Sequence, residues 1–162
     1  MDQEFLQAYD RWADPIFRHC YLRLSDREQA REIMQEAFTR TWKQLRDGEE
    51  IRNFKAFLFK VANRLIIDEY RRRDRRPAIS LGVLAEEGKE PSAEPRLEIE
   101  TKTEIEHLLK LLDELEPLYR DVLILRYVDD LRPKEIAKIL DETENVISVR
   151  LHRALKKLRE LV

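Results

Sequence analysis

One cysteine, three glycines, six prolines and three histidines occur among 162 residues, and each scarcity removes a class of protein. The lone cysteine, Cys20, forms no internal disulfide, so the fold must rest on its core rather than on cross-links. The histidines show no ligand spacing, which argues against structural zinc; no metal or cofactor is expected. So few glycines and prolines exclude collagen-like and proline-rich disordered chains. The longest apolar runs span only a few residues, far too short to cross a bilayer, so no membrane insertion is expected. The first residues are acidic early and lack an apolar stretch before a small-residue cleavage site, unlike an export signal, so the expected location is cytoplasmic.

What is present is helix-forming and highly charged. The chain is 43% hydrophobic and 40% charged, enough for one modest core or two small ones. A formal net charge of -2 conceals a strong segregation of sign. Residues 1–54 hold 9 basic and 11 acidic residues, 55–76 hold 8 and 3, and 77–106 hold 3 and 8. Residues 107–144 then hold 6 and 10, and 145–162 hold 5 and 1. Two basic stretches therefore flank an acidic middle, and each can neutralise phosphates locally even though the whole protein is slightly acidic. Two solvated helix faces are the bland alternative.

Hydrophobic periodicity makes the chain all-α, in two small helical domains joined by a flexible acidic linker. Residues 3–24 read as an amphipathic helical opening, with Pro15 predicting a kink or a break. Ser25 and Glu28 form a capping-box pattern for a helix over 26–45, and a third helix runs from Asn53 to Arg73. That helix ends in the basic run Arg71, Arg72, Arg73, Arg75 and Arg76 before Pro77. The first domain is thus placed at 1–76. Residues 77–103, with glycine, proline and acidic residues around a short apolar patch at Ile79, Leu81, Val83 and Leu84, form the linker. The second domain, 104–162, restarts a helix at Pro117, places a short helix at Pro133–Leu140, turns at Asp141-Glu142-Thr143 and ends in a helix from Asn145 to Leu161. This is helix-turn-helix spacing.

At 100° per residue the last helix gathers Ile147, Leu151, Ala154, Leu155 and Leu158 on one side, with Asn145, Val149, His152, Arg153 and Lys156 opposite. Ile136 and Ala137 of the short helix are expected to meet Ile147 and Leu151, with Leu118 and Val122 closing the core behind. On pattern alone, a DNA reader and a small bundle with an incidental helix-turn-helix stay equally open.

Longer motifs go further. The stretch Asp26-Arg27-Glu28-Gln29-Ala30-Arg31-Glu32-Ile33-Met34-Gln35-Glu36-Ala37-Phe38, continuing to Trp42, resembles the polymerase-binding part of the extracytoplasmic-function (ECF) group of bacterial sigma factors. The stretch from Asn53 to Asp68, with Tyr70 and the arginine run, resembles the same family's promoter-melting helix. Leu115, Arg120, Arg126, Tyr127, Glu135-Ile136-Ala137 and Val149-Arg150-Leu151-His152-Arg153-Ala154 resemble its second domain. The resemblance covers most of the chain and implies a non-enzymatic protein. It would bind core RNA polymerase, recognise promoter DNA and direct transcription initiation.

By that resemblance, Arg31, Glu32, Gln35 and Glu36 would face the coiled-coil helices of the largest polymerase subunit, while Ile33, Ala37 and Phe38 fill the core. The loop Arg46–Asn53 would meet a base flipped from the stack at the minus-ten element, with Arg52 and Asn53 hydrogen-bonding it. Lys55, Lys60, Asn63, Arg64 and Arg71 would hold phosphates or strands beside the fork. Phe57 is expected in the core; the family often has tryptophan and tyrosine at Phe57 and Phe59, so stacking there is a further expectation. In the minus-thirty-five element, Asn145, Ser148, Val149, His152 and Arg153 would lie nearest base edges, and Arg150, Lys156 and Lys157 on phosphates. An anti-sigma partner that hides the polymerase-facing surfaces is also implied.

Three departures bear on the second domain. Asp141 stands where the family commonly has glycine, Val146 where a threonine commonly begins the reading helix, and Arg132-Pro133 where a polar cap and an aromatic residue are common. The linker length agrees with a two-site grip. Promoter elements about 16–18 base pairs apart are roughly 55–60 Å apart, and residues 77–103 reach up to about 90 Å when extended. A standalone helix-turn-helix regulator would explain the C-terminal half only; in a protein-binding helical adaptor the basic tails would serve simply to keep the chain soluble.

Overall fold

A computed structural model describes residues 2–74 and 102–162, and these form two compact helical units. The apolar patch at 79–84, the arginines at 75 and 76, Pro77 and nearly all of the expected linker lie outside the described residues.

The first unit contains α1 (Asp2–Leu24), α2 (Arg27–Arg46) and α3 (Phe54–Asp74), each packed on the other two. Its core is Ile16, Cys20, Leu22, Ala30, Ala37, Phe38, Leu58, Phe59, Ala62 and Ile66, all at or below 3% exposure. Most of these positions fall at helical spacing, as in Ile16–Cys20 and Leu58–Ala62–Ile66, so each helix buries one stripe and leaves the opposite one wet. Of the kink or break expected at Pro15 there is no break: α1 runs through it, although the proline has no amide hydrogen to donate to the preceding turn.

The junction of α1 and α2 also differs from expectation. Ser25 is not the cap of α2; at φ 54° it closes α1, its amide donating to the Tyr21 carbonyl at 2.8 Å. Asp26, in extended conformation, takes the capping place, its Oδ1 accepting from the Gln29 amide at 3.1 Å. A residue with left-handed backbone ends a helix well but cannot hold the extended conformation an N-cap needs. The other end of the hairpin turns through Gly48 at φ 85°, where a glycine is at ease.

The second unit contains α4 (Lys102–Glu114), α5 (Pro117–Leu123), α6 (Pro133–Leu140) and α7 (Glu144–Leu161). Helix α5 continues into a π-helical turn over Ile124–Val128, where the Asp129 amide donates to the Ile124 carbonyl at 2.9 Å. Val122, Ile124, Leu125, Leu131, Ile136, Ile147 and Ala154 are fully buried, and α7 packs on both α5 and α6. Contrary to the expectation that Leu118 closes this core, it is 49% exposed. Burial on α5 begins only at Arg120, two residues later, so the first turn at Pro117 stands outside the packed region.

The turn between α6 and α7 keeps the helix-turn-helix geometry without glycine. Asp141 itself adopts φ 58°, ψ 49°, and the Glu142 amide donates to the Ala137 carbonyl at 2.9 Å. Aspartate tolerates this left-handed conformation better than most side chains, at some cost relative to glycine. Thr143 then caps α7, its Oγ1 accepting from the Val146 amide at 3.2 Å. At the start of α6 the unfavourable Arg132 is compensated from inside the helix: Glu135 Oε1 accepts from the Arg132 amide at 3.1 Å and from its Nε at 3.2 Å.

Candidate protein and nucleic-acid interfaces

Three exposed helix faces carry the residues singled out by sequence. On α2, Arg31, Glu32, Gln35 and Glu36 are all exposed, at i, i+1, i+4 and i+5, and so share one wet stripe. Behind them Ala37 and Phe38 are buried and Ile33 half-buried, which separates surface from core as expected. Among the described residues Glu36 pairs with Arg40 of its own helix, at 3.1 Å, with both side chains about half exposed. Such a pair is worth little by itself and is readily exchanged for a partner's charge.

On α3, Lys60, Arg64 and Arg71 fall within about 40° of one another at 100° per residue and are exposed, making one basic stripe. Asn53 caps this helix, its Oδ1 accepting from the Ala56 amide at 3.0 Å, which leaves the amide nitrogen to donate to a base or phosphate. Arg52 beside it is exposed. Lys55 is half-buried, its Nζ 5.5 Å from the centre of the Trp12 ring, where the ring face holds the ammonium in place.

Asn63 is a correction. It is 4% exposed, and its Oδ1 accepts from Arg23 Nη1 at 2.9 Å. Arg23 is itself 1% exposed and also lies 3.1 Å from the His19 ring nitrogen Nε2. Asn63 sits about 60° around α3 from Lys60, on the flank that α1 covers. It therefore satisfies a buried guanidinium instead of facing solvent. The phenylalanines exchange places as well: Phe59 is the core ring, 1% exposed and edge-on to His19 at 5.2 Å, while Phe57 is only half-buried.

The arginine run divides in the same way. Arg71 is exposed, 3.9 Å from an equally exposed Asp68. Arg73 instead reaches back to the end of α1, donating to the Leu24 carbonyl at 3.0 Å and to Gln29 Oε1. Gln29 Nε2 in turn donates to Glu69 at 2.6 Å, and Arg72 Nε donates to Glu69 at 2.8 Å. Burial alone would raise the Glu69 carboxyl, but the hydrogen bonds from Arg72 and Gln29, with the charges of Arg72 and Arg73, outweigh it and hold it below the ordinary value of 4.5. Sequence reasoning missed this clasp. Only the spacing of Glu69 to Arg72 and Arg73 signalled it, since Gln29 lies 40 residues away.

On α7, Asn145, Ser148, Val149, His152, Arg153, Lys156 and Lys157 are exposed, while Ile147, Leu151 and Ala154 are buried and Leu155 and Leu158 half-buried. Arg150 lies on the flank, its Nη2 3.4 Å from Glu142 Oε1, so it ties the helix to the preceding turn. A capped helix with a polar, partly basic face and an apolar back has the form that enters a major groove. Among the described residues no group of three or more histidine, cysteine or carboxylate side chains is placed to hold a metal ion. No described helix is long and apolar enough to cross a membrane.

Comparison with known proteins follows the same division. A family described as Sigma-70 region 2 matches residues 8–76, and one described as Sigma-70, region 4 matches residues 105–158. The chain is 30% identical over 172 residues to the ECF RNA polymerase sigma factor SigW of Bacillus subtilis, covering 98% of this chain and 89% of that protein. It is 30% identical over 152 residues to the sigma factor SigV of the same organism, covering 89% and 82%. In fold it is similar to the sigma factor RpoE of Bartonella quintana, solved in complex with the anti-sigma factor NepR. That likeness has a TM-score of 0.77 at 22% identity and covers 98% and 96% of the two chains.

Proposed function

The chain belongs to the ECF family of bacterial RNA polymerase sigma factors, and from that membership we propose how its three exposed faces divide the work. As a sigma factor it binds core RNA polymerase, recognises promoter elements and directs transcription initiation; it is not an enzyme.

The α2 stripe of Arg31, Glu32, Gln35 and Glu36 is the polymerase-facing surface: four polar residues exposed together, with Glu36 in a half-exposed pair within its own helix. The Arg52–Asn53 cap of α3, with Lys55, Lys60, Arg64 and Arg71, holds the minus-ten element and its opened strand. The exposed face of α7 reads the minus-thirty-five element, with Arg153 and Asn145 as hydrogen-bonding readers, Lys156 and Lys157 on phosphates, and Arg150 bracing the turn. The observation that carries this division is the presence, in order, of both sigma regions, each with its own basic helix face. A standalone DNA-binding regulator has no use for the region matched at 8–76.

Two further assignments follow from the family. An anti-sigma protein covers the α2 stripe and keeps the factor from polymerase, as suggested by the fold neighbour solved with such a partner. The site of action is the cytoplasm, where core polymerase works. Purified chain mixed with bacterial core polymerase and a double-stranded promoter tests the division. Glu32→Ala with Glu36→Ala weakens complex formation about tenfold, while Arg153→Ala lowers initiation only where the upstream element is intact. Unchanged polymerase affinity in the first variant, or equal loss on promoters with and without the element in the second, refutes the corresponding face.

A further inference from the structure

Val149 is, with Val146 and Leu161, one of the apolar residues that α7 leaves exposed, and the one at the middle of its outward face. It lies about 160° around the helix from both Ile147 and Leu151, on the midline of the outward face, and is 41% exposed. A β-branched residue is a poorer helix former than alanine, lysine or arginine, so an exposed helix interior is an unfavourable place for it. Single apolar residues on a surface are common. This one is distinguished by its neighbours on the same face, Asn145, Arg153 and Lys156, all exposed and all able to hydrogen-bond. It stands among them with neither donor nor acceptor.

In the major groove the apolar group that base pairs display is the C5-methyl of thymine; the other distinguishing features are hydrogen-bond donors and acceptors. A valine side chain pressed on an amino group or a ring nitrogen would strip its water and return nothing. Pressed on a methyl group, it gains by burying both. We propose that Val149 is a specificity residue that reads one thymine of the upstream promoter element through its C5-methyl, alongside the hydrogen-bonding readers Asn145 and Arg153. This rests on the assignment of α7 to the upstream element.

The test removes only that methyl. Full-length protein and core polymerase are assembled on a promoter that the holoenzyme uses, and each thymine of the upstream element, on either strand, is replaced in turn by deoxyuridine. Burying one methyl group is worth about fourfold in affinity, so one replacement lowers complex formation about fourfold and the others leave it unchanged. Val149→Ala, which removes both γ-methyls from an exposed position and favours the helix, is folded, binds the natural promoter several-fold more weakly, and no longer distinguishes thymine from deoxyuridine. Two results overturn the assignment while leaving the upstream reading intact: no sensitive thymine on a promoter that fails when the element is scrambled, or a sensitive thymine that Val149→Ala still distinguishes. Undiminished initiation from the scrambled promoter overturns the upstream reading itself and the valine assignment with it.

Discussion

Replacing Asn63 by alanine should cost stability and spare promoter binding, the reverse of what an exposed DNA contact would do. Its Oδ1 accepts a 2.9 Å hydrogen bond from Arg23 Nη1, and both residues are below 5% exposure. A buried hydrogen bond to a charged group contributes about 1.5–3 kcal/mol. For a helical unit of this size each kcal/mol moves the melting temperature by about 4–8 °C, so a loss of roughly 6–24 °C is expected. Both tryptophans, Trp12 and Trp42, lie in the first unit, so tryptophan fluorescence of the full chain follows its unfolding alone. Asn63→Asp keeps the acceptor and places an opposite charge beside Arg23, so it should lose less than Asn63→Ala. Lys60→Ala, on the exposed stripe, should melt within a few degrees of wild type and lower the salt dependence of promoter binding by about one counterion. At a temperature where all three are folded, Asn63→Ala should form promoter complexes like wild type. The reasoning fails if Asn63→Ala melts normally and reduces the salt slope as Lys60→Ala does.

Glu69 predicts an acid-sensitive clasp. Its folded pKa lies below the ordinary value of 4.5, so its stabilisation is complete above the unfolded pKa and disappears as pH falls through the folded one. Glu69→Gln should therefore be less stable than wild type at pH 7, with the gap closing as the pH is lowered below about 4.5 in fluorescence-monitored urea melts; a gap independent of pH would rule the clasp out. At the turn of the second unit, Asp141→Gly should stabilise by about 0.5 kcal/mol and Asp141→Val destabilise by about 1–2 kcal/mol, because the backbone there is left-handed. Circular dichroism of the second unfolding step reads both, and equal stability of the glycine and valine variants would contradict that backbone geometry.

Much of the protein was legible in the order of its residues because helices announce themselves by periodicity. The stripe Ala30, Met34, Ala37, Phe38 and the stripe Ile147, Leu151, Ala154 are both visible in sequence and buried in the structure. The opposite faces are wet: the α2 quartet and the outward residues of α7 are exposed. Pro133 at the first position of α6 and the charge segregation were equally plain. Such features depend on neighbours three or four residues apart, the distance over which a helix repeats.

Flanks and junctions were decided by contacts between helices. Asn63 and Lys60 are both polar and three residues apart on α3, yet α1 covers one and leaves the other in water. Arg71 and Arg73 belong to a single basic run, but only Arg73 meets the end of α1 and Gln29. Ser25 lost the cap to Asp26 because the turn of α1 onto α2 sets its backbone angle. A local pattern specifies which side of a helix is apolar; how far a neighbouring helix extends over the margin of that side depends on packing between distant residues. Polar residues on those margins acquire their roles only when the helices meet.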